Sequence, residues 1–266
     1  MSIVTLTSDY GNKDFFVGAV KGALLSEIEG VQIIDISHEI TPFNSIEAAY
    51  IIKNAYYFYP KNTIHIIGIN NEINTNEYIA LYIDGHYFIG YNSNLFSLIF
   101  PLKKPNELVL INLPDSYDAN LFPAKNIFIK AAGHIARGGE LSMLGPKLES
   151  LKIGQSLLPI EKNNGEILIG IVIYIDRFGN IITNISKVFF NKFQRGRNFI
   201  IHLPRKHTIT KLCKQYSEVP ESNILTLFNS SNMLEIAINR ADKSLKNGAS
   251  TLLGVKPGDE IIIKFN

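Results

Sequence analysis

Asp9 is the first residue in this chain whose type and setting could do chemistry. It stands in Ile3-Val-Thr-Leu-Thr-Ser-Asp9-Tyr10-Gly11, where a short apolar run meets an acidic, glycine-containing turn. Asp14, Gly18, Lys21 and Gly22 follow on a segment of helical character. In an open α/β sheet, ligands bind where strands end at the carboxyl edge. A carboxylate there repels phosphate but accepts two hydrogen bonds from a diol, so Asp9 is a candidate for holding a ribose. Asp9 and Asp14 also suit the cap of the next helix. The segment by itself leaves both readings open.

Two further segments carry polar groups at strand ends. In Ile175-Asp176-Arg177-Phe178-Gly179-Asn180, a strand ends in Asp, turns through Phe-Gly and restarts at Asn. Phe178 offers a ring face for a purine, and the Asn180 amide can bond ribose or base edges. The alternative is a bulge or hairpin with Gly179 at positive φ. In Leu227-Phe-Asn229-Ser230-Ser231-Asn232-Met233-Leu234-Glu235, a polar loop separates two strands. Backbone groups of such a loop, with Glu235 just inside the second strand, could read the Watson–Crick edge of an adenine, or the segment is an ordinary polar turn. His134, in Ala131-Ala-Gly-His134-Ile-Ala, lies near the end of an apolar helix, where a histidine either packs against backbone or acts as a base.

Other chemistries lack their signatures. No His, Cys and Asp cluster has metal spacing, so no metal site is expected. The sequence has no Gly-x-Ser-x-Gly elbow and no phosphate-binding glycine loop. Lys192, Arg195, Arg197, Arg205 and Lys206 form a basic scatter, which reads as a solvated face. The chain has 26 basic and 24 acidic side chains, a balance that gives no reason to expect nucleic acid or a membrane as a partner. With one cysteine, Cys213, no intrachain disulfide can form. No basic-then-apolar leader is evident and no apolar run nears the ~20 residues of a membrane helix, so a soluble cytoplasmic protein is expected.

The elements that must position these residues fall into two groups. Up to about residue 158, apolar strands alternate with helices. Ile3–Thr7, Val31–Ile36, Thr63–Ile69 and Leu108–Leu113 read as strands. Asp14–Glu29, Ser45–Tyr59 and Asn126–Arg137 read as helices, the second stopped by Pro60. Ile79–Ile83 and His86–Ile89 flank Asp84-Gly85, a two-residue hairpin turn. This alternation predicts an α/β domain over 1–158 with a mostly parallel sheet. Pro159–Gly165 reads as a polar linker. From 166 to 266, short strands separated by turns predict a small antiparallel β barrel or sandwich.

Taken together, these segments resemble the S-adenosyl-L-methionine hydroxide adenosyltransferase family, relatives of the fluorinase and chlorinase enzymes. The likeness runs through Leu6-Thr-Ser-Asp9-Tyr-Gly, Ile34-Asp-Ile-Ser-His38-Glu-Ile-Thr-Pro42, Ala131-Ala-Gly-His134, Ile175-Asp-Arg-Phe-Gly-Asn180-Ile-Ile-Thr-Asn184, Asn229-Ser230, Leu234-Glu-Ile-Ala237 and Lys256-Pro-Gly-Asp259. It implies homotrimers with S-adenosylmethionine bound between the N-terminal domain of one subunit and the C-terminal domain of its neighbour. It implies that Asp9 holds the ribose diol, with Phe178 and Asn180 on the nucleoside or methionine portion. Ser230 and Glu235 would lie near adenine or methionine. The ligand is a substrate, and no cofactor is implied.

The chain departs from the family pattern where the attacking water should sit. The family's Asp, Arg and His are taken to hold that water; here the Asp position reads Asn70 and the Arg position Glu77, leaving His134 as the surviving member. The family's Pro-Asp-Asn-Gly-Leu reads Tyr91-Asn92-Ser93-Asn94-Leu95. Glu72 or Glu77 are candidate substitutes. The expected reaction is hydrolysis of S-adenosylmethionine to adenosine and methionine, by in-line attack of water at C5′, and slow. The alternative is a protein that binds the adenosyl group without turnover, with halide use a minor possibility.

Overall fold

The computed structural model describes residues 2–70, 77–112, 121–154, 157–204, 207–241 and 247–266. The chain divides into two compact units, Met1–Gln155 and Ser156–Asn266.

The N-terminal unit is built on six strands: β1 (Ile3–Ser8), β2 (Gln32–Ser37), β3 (Ile64–Gly68), β4 (Tyr78–Ile83), β5 (His86–Tyr91) and β6 (Glu107–Leu110). They lie in the order β2-β1-β3-β5-β4-β6. β4 alone runs against its neighbours, because the Asp84-Gly85 turn returns the chain directly into β5. Both turn residues have positive φ, 53° and 82°, the geometry that suits a tight hairpin. The other strands share one direction, giving the mostly parallel sheet expected.

Helices cover both faces. α1 (Phe16–Glu27) and α4 (Ile129–Ala136) pack on Val4, Leu6, Ile64, Ile66 and Ile89. α2 (Ser45–Lys53) and α3 (Leu95–Ile99) pack on Ile67, Ile69, Leu81 and Phe88. Ile66 and Ile67 face opposite sides, as the two-residue period of a strand requires. α2 is shorter than its sequence period indicates. The Asn54 amide closes on the Tyr50 carbonyl at 2.7 Å, and a separate helical turn follows at Tyr56–Phe58.

The second face also buries a polar chain. Thr5 Oγ1 lies 2.7 Å from His65 Nδ1, and His65 Nε2 lies 3.2 Å from His86 Nδ1. Both rings are fully buried beside Tyr56 and Phe88.

The C-terminal unit is antiparallel throughout and forms a nearly closed barrel. Its strands are β7 (Ile160–Lys162), β8 (Ile167–Ile175), β9 (Ile181–Ser186), β10 (Phe199–His202), β11 (Thr208–Ile209), β12 (Ile224–Phe228), β13 (Met233–Ile238) and β14 (Glu260–Phe265). The order is β11-β10-β14-β8-β9-β13-β12, with β7 on the first half of β8. The stretch read as a linker therefore contains a strand. Ile160 and Lys162 pair with Ile169 and Ile167, and the chain turns at Asn163 and Asn164 in left-handed conformation. Two helices of this unit escaped the sequence reading, as α3 did in the other: α5 (Lys187–Gln194), capped by the Ser186 hydroxyl, and α6 (Ala249–Leu253). Arg197 of the basic scatter is structural. It donates to the Gly165 and Phe193 carbonyls and covers the Phe265 ring. Arg205 and Lys206 lie outside the described residues.

Candidate active site

Five segments meet at the carboxyl edge of the N-terminal sheet. Asp9 follows β1, His38 follows β2, Asn70 follows β3 and Asn92 follows β5. Glu77 precedes β4, whose reversed direction brings its beginning to this edge. β1 and β3 are adjacent, with Ser8 opposite Gly68, so the structure brings Asp9 and Asn70 together.

Asp9 does not cap α1. The N-cap position is Phe15 and no side chain caps it; Asp14 is exposed in the preceding bend. Asp9 instead accepts the Phe43 N–H through Oδ2 at 2.9 Å. Burial pushes its pKa up, and the Phe43 and Asp9 backbone N–H groups only partly offset that rise. A half-buried carboxylate of this kind is under-solvated, and further donors would stabilise it. Tyr10 and Tyr91 beside it have pKa values raised by burial first and by neighbouring phenol and Asp9 charge second. They stay neutral and can donate. Gly68 makes room for Tyr10 here: a Cβ would press on the Tyr10 ring and hydroxyl.

Asn70 is half-buried and uncharged. Glu77, at the position of the expected Arg, accepts from Asn92 Nδ2 at 2.9 Å and lies 3.4 Å from Lys152 Nζ. The charge order is thus inverted, with a carboxylate just before β4 and the cation supplied by Lys152. Glu72 lies outside the described residues.

His134 is not part of this edge. The helical stretch that leads to it starts at Ala124, which lines a small cavity with Ser8, Tyr10, His38 and Gly68. The same stretch ends beside Glu27, the last residue of α1: Arg137 Nη1 bonds Glu27 Oε1 at 2.9 Å, and a Cβ on Gly133 would meet the Glu27 side chain. α1 runs from the carboxyl edge back to the start of β2, so Glu27 and His134 are at the amino edge. Ten residues of helix separate Ala124 from His134, on the order of 15 Å. His134 Nε2 donates to the Glu140 carbonyl at 2.9 Å, the backbone-packed alternative noted from sequence. The reading of His134 as the water-activating base beside Asn70 is not what this unit's geometry provides.

In the C-terminal unit, Asp176 shapes the turn that follows β8. Its carboxylate accepts the Phe178 and Asn180 N–H groups at 2.8 and 2.9 Å and the Asn180 amide at 2.9 Å. Gly179 sits at φ 81° with Gly248 against it. The turn leaves the Phe178 ring 58% exposed while Asn180 is buried, so only the ring is free for stacking as the turn stands. Glu235 is buried and committed: it accepts from Tyr216 Oη at 2.6 Å and Asn229 Nδ2 at 3.1 Å. Burial raises its pKa, and those two donors oppose the rise. Its placement suits shaping the Asn229 turn more than touching a ligand. Ser230 is exposed at the tip of that turn, which is tied to Lys187 through the Asn232 carbonyl. Lys187 follows β9 whereas Asn180 precedes it, so Ser230 and Asn180 lie at opposite ends of that strand. Asn184 braces β8 from within the sheet, accepting from Ile171 N–H.

Sequence reasoning gave no role to Ser8, Asp35, His38, Phe43 or Lys152. The spacing Asp35 to His38 and the serine directly before Asp9 were the available signals. Among the described residues, no group of three His, Cys, Asp or Glu side chains could hold a metal ion.

A mixed sheet with its polar groups at the carboxyl edge, followed by an antiparallel barrel, defines a two-unit α/β-plus-β protein. The chain belongs to the SAM hydroxide adenosyltransferase family: the N-terminal domain of that family matches residues 4–145 and the C-terminal domain residues 170–262. It is 29% identical to the (R)-S-adenosyl-L-methionine hydrolase of Methanocaldococcus jannaschii, over 100% of this chain and 97% of that one. It is 26% identical to the hydrolase of the same name from Thermus thermophilus, over 97% and 98%. A fluorinase from Actinoplanes sp. is 26% identical over 71% of this chain and 74% of its own. A crystal structure of an uncharacterized conserved protein from Thermotoga maritima superposes with TM-score 0.83 at 27% identity, covering 98% and 99% of the two chains. No helix among the described residues is long and apolar enough to cross a membrane.

Proposed function

We propose that this protein hydrolyses S-adenosyl-L-methionine to adenosine and L-methionine. The observation that carries the reading is the match to both family domains, in order, over nearly the whole chain. Water attacks C5′ as the C5′–sulfur bond breaks, and methionine leaves neutral from a sulfonium. The leaving group needs no acid. The attacking water loses one proton, which passes to solvent. Asp9 accepts the ribose hydroxyls with the oxygen capacity that Phe43 leaves, and this orients C5′. Phe178 stacks on the nucleoside, with Asn180 and Glu235 holding the backbone on that side of the pocket, while Ser230 stands at the far end of β9 from Phe178. The chain works as a homotrimer, each ligand held between the N-terminal unit of one subunit and the C-terminal unit of another. The substrate carries the reactive sulfonium itself, so no cofactor takes part, and the protein acts in the cytoplasm.

Turnover is slow in this reading, because Asn70 carries no charge and Glu77, a carboxylate beside Lys152, stands where the family pattern has an Arg. The same two features favour a second reading, an adenosyl-binding protein without turnover. Overnight incubation of the pure protein with S-adenosylmethionine, followed by chromatography for adenosine, separates them. Adenosine above the no-protein control supports the hydrolase. Calorimetric binding of adenosine without product formation supports the binding protein. Sedimentation velocity tests the trimer.

A further inference from the structure

Ser8 Oγ lies 2.6 Å from His38 Nδ1, and the Tyr10 N–H points at the same oxygen at 3.5 Å. A hydroxyl that takes the N–H two residues on closes a turn, and Asp9 is the apex of this one. Behind the imidazole, His38 Nε2 stands 3.1 Å from Asp35 Oδ1, and Asp35 Oδ2 is 2.5 Å from Lys21 Nζ. A carboxylate beside Nε2 favours the proton on that nitrogen, which leaves Nδ1 as the acceptor and Ser8 as the donor. The Ser8 lone pairs then face the Tyr10 N–H. The His38 carbonyl also takes the Gly11 N–H at 2.8 Å. His38 is 5% exposed and Ser8 3%, so neither offers a surface to a ligand.

We infer that His38 is a positioning residue for the ribose-binding carboxylate: through Ser8 and its own carbonyl it fixes the turn that aims Asp9. The inference rests on the ribose role proposed for Asp9. The link from His38 to Asp9 is closed a second time by the Phe43 N–H, which comes from the same 38–43 segment and reaches Asp9 Oδ2. The Asn12 amide adds a bond to Glu39 at 2.8 Å. The turn after β1 is therefore set by the turn after β2, and the imidazole is the buried contact between them.

The test compares Kd for adenosine and 2′-deoxyadenosine, which differ by one ribose hydroxyl. The discrimination ratio reads how well Asp9 meets the diol; a general loosening of the fold would weaken both ligands alike. The wild-type protein is expected to prefer adenosine by about tenfold, the value of one hydrogen bond to a charged group. His38→Phe and Ser8→Ala should shrink the ratio to about twofold. His38→Asn, which keeps an acceptor near the Nδ1 position, should restore most of it. Thermal unfolding establishes which variants are folded, and Ser8→Ala carries the test if His38→Phe does not fold. A ratio unchanged in Ser8→Ala or in folded His38→Phe, whatever the absolute affinities, overturns the inference. Asp9→Asn is the control. If it collapses the ratio while the His38 and Ser8 changes do not, the ribose reading stands and this inference alone fails. If Asp9→Asn leaves the ratio intact, the ribose reading fails and the inference falls with it.

Discussion

Acid should loosen the N-terminal unit through His65 before its carboxylates titrate. Burial, with the neighbouring His86 adding to it, holds the His65 pKa down at about 3, against an ordinary value near 6.5. Between those two values the unfolded chain binds a proton that the folded chain refuses, so stability rises with pH across the window and is lost as pH falls. Each pH unit well inside the window is worth about 1.4 kcal/mol. From pH 7, where neither state is much protonated, to pH 5 the loss is about 2 kcal/mol. His86 is shifted the same way, by burial and then by Lys61, with Asp84 opposing, and adds to the loss. Against the ~5–15 kcal/mol of an ordinary domain, this is measurable. Urea unfolding followed by circular dichroism at several pH values gives the profile, and hydrogen exchange over β3 and β5 assigns it to this unit. His65→Gln is the control. It should be less stable at neutral pH by about 1–3 kcal/mol, because Thr5 and His86 lose a partner, yet flatter with pH. A flat wild-type profile from pH 7 to pH 5, or a His65→Gln profile as steep as the wild type, would refute the reasoning.

Asp9→Ala should weaken adenosine binding by about 1.5–3 kcal/mol by calorimetry, as charge-assisted hydrogen bonds to the diol are lost; unchanged affinity in a folded variant removes Asp9 from the site. Hydrolysis should be slower than in relatives with the full Asp, Arg and His set, and Asn70→Asp with Glu77→Arg should raise it. Glu77→Arg alone puts a guanidinium beside Lys152, so Lys152→Glu must accompany it. A gain of about 10²–10³ is the scale of one preorganised electrostatic partner, and no gain in the folded triple variant points to the binding-only protein. His134→Ala should change turnover by less than about threefold while lowering stability by ~0.5–1.5 kcal/mol for the lost bond to the Glu140 carbonyl; a collapse of turnover with the fold intact would put His134 back in the chemistry.

The sequence made the strand–helix alternation legible because the central strands β1, β3, β4 and β5 bury both faces and each helix one, and those periods are local. The Asp84-Gly85 hairpin was legible because only a few residue pairs tolerate its backbone. The shortened α2 was not, since a side chain, the Asn54 amide, ends it while the apolar period continues. β7 was not either: Ile160–Lys162 is polar and exposed, an edge strand held by backbone pairing that leaves little trace in residue types. At the site, Asp9 was legible from its place after an apolar run. His38 was quoted within a motif yet assigned nothing, because its partners Ser8 and Asp35 come from different strands and register is not a local property. His134 lies off this edge for the converse reason. Its neighbours in sequence matched a pattern, but ten residues of helix carry it to the other end of the sheet.

β4 runs against its neighbours, and so the chain leaves the sheet after Asn70 and re-enters at Glu77 on the same edge. Both anchor points are fixed by pairing, Ile67 with Gly90 on one side and Tyr78 with Tyr91 on the other. A connection that departs and returns at one edge can change length or charge without shifting any strand's register, and each doubling of its length costs only about 0.6 kcal/mol in closure entropy. The fold thus insulates its own core from change in this stretch. The residues at its two ends, Asn70 and Glu77, can change on that account, while the turn that carries Asp9 beside them is kept by buried bonds that tolerate no such freedom.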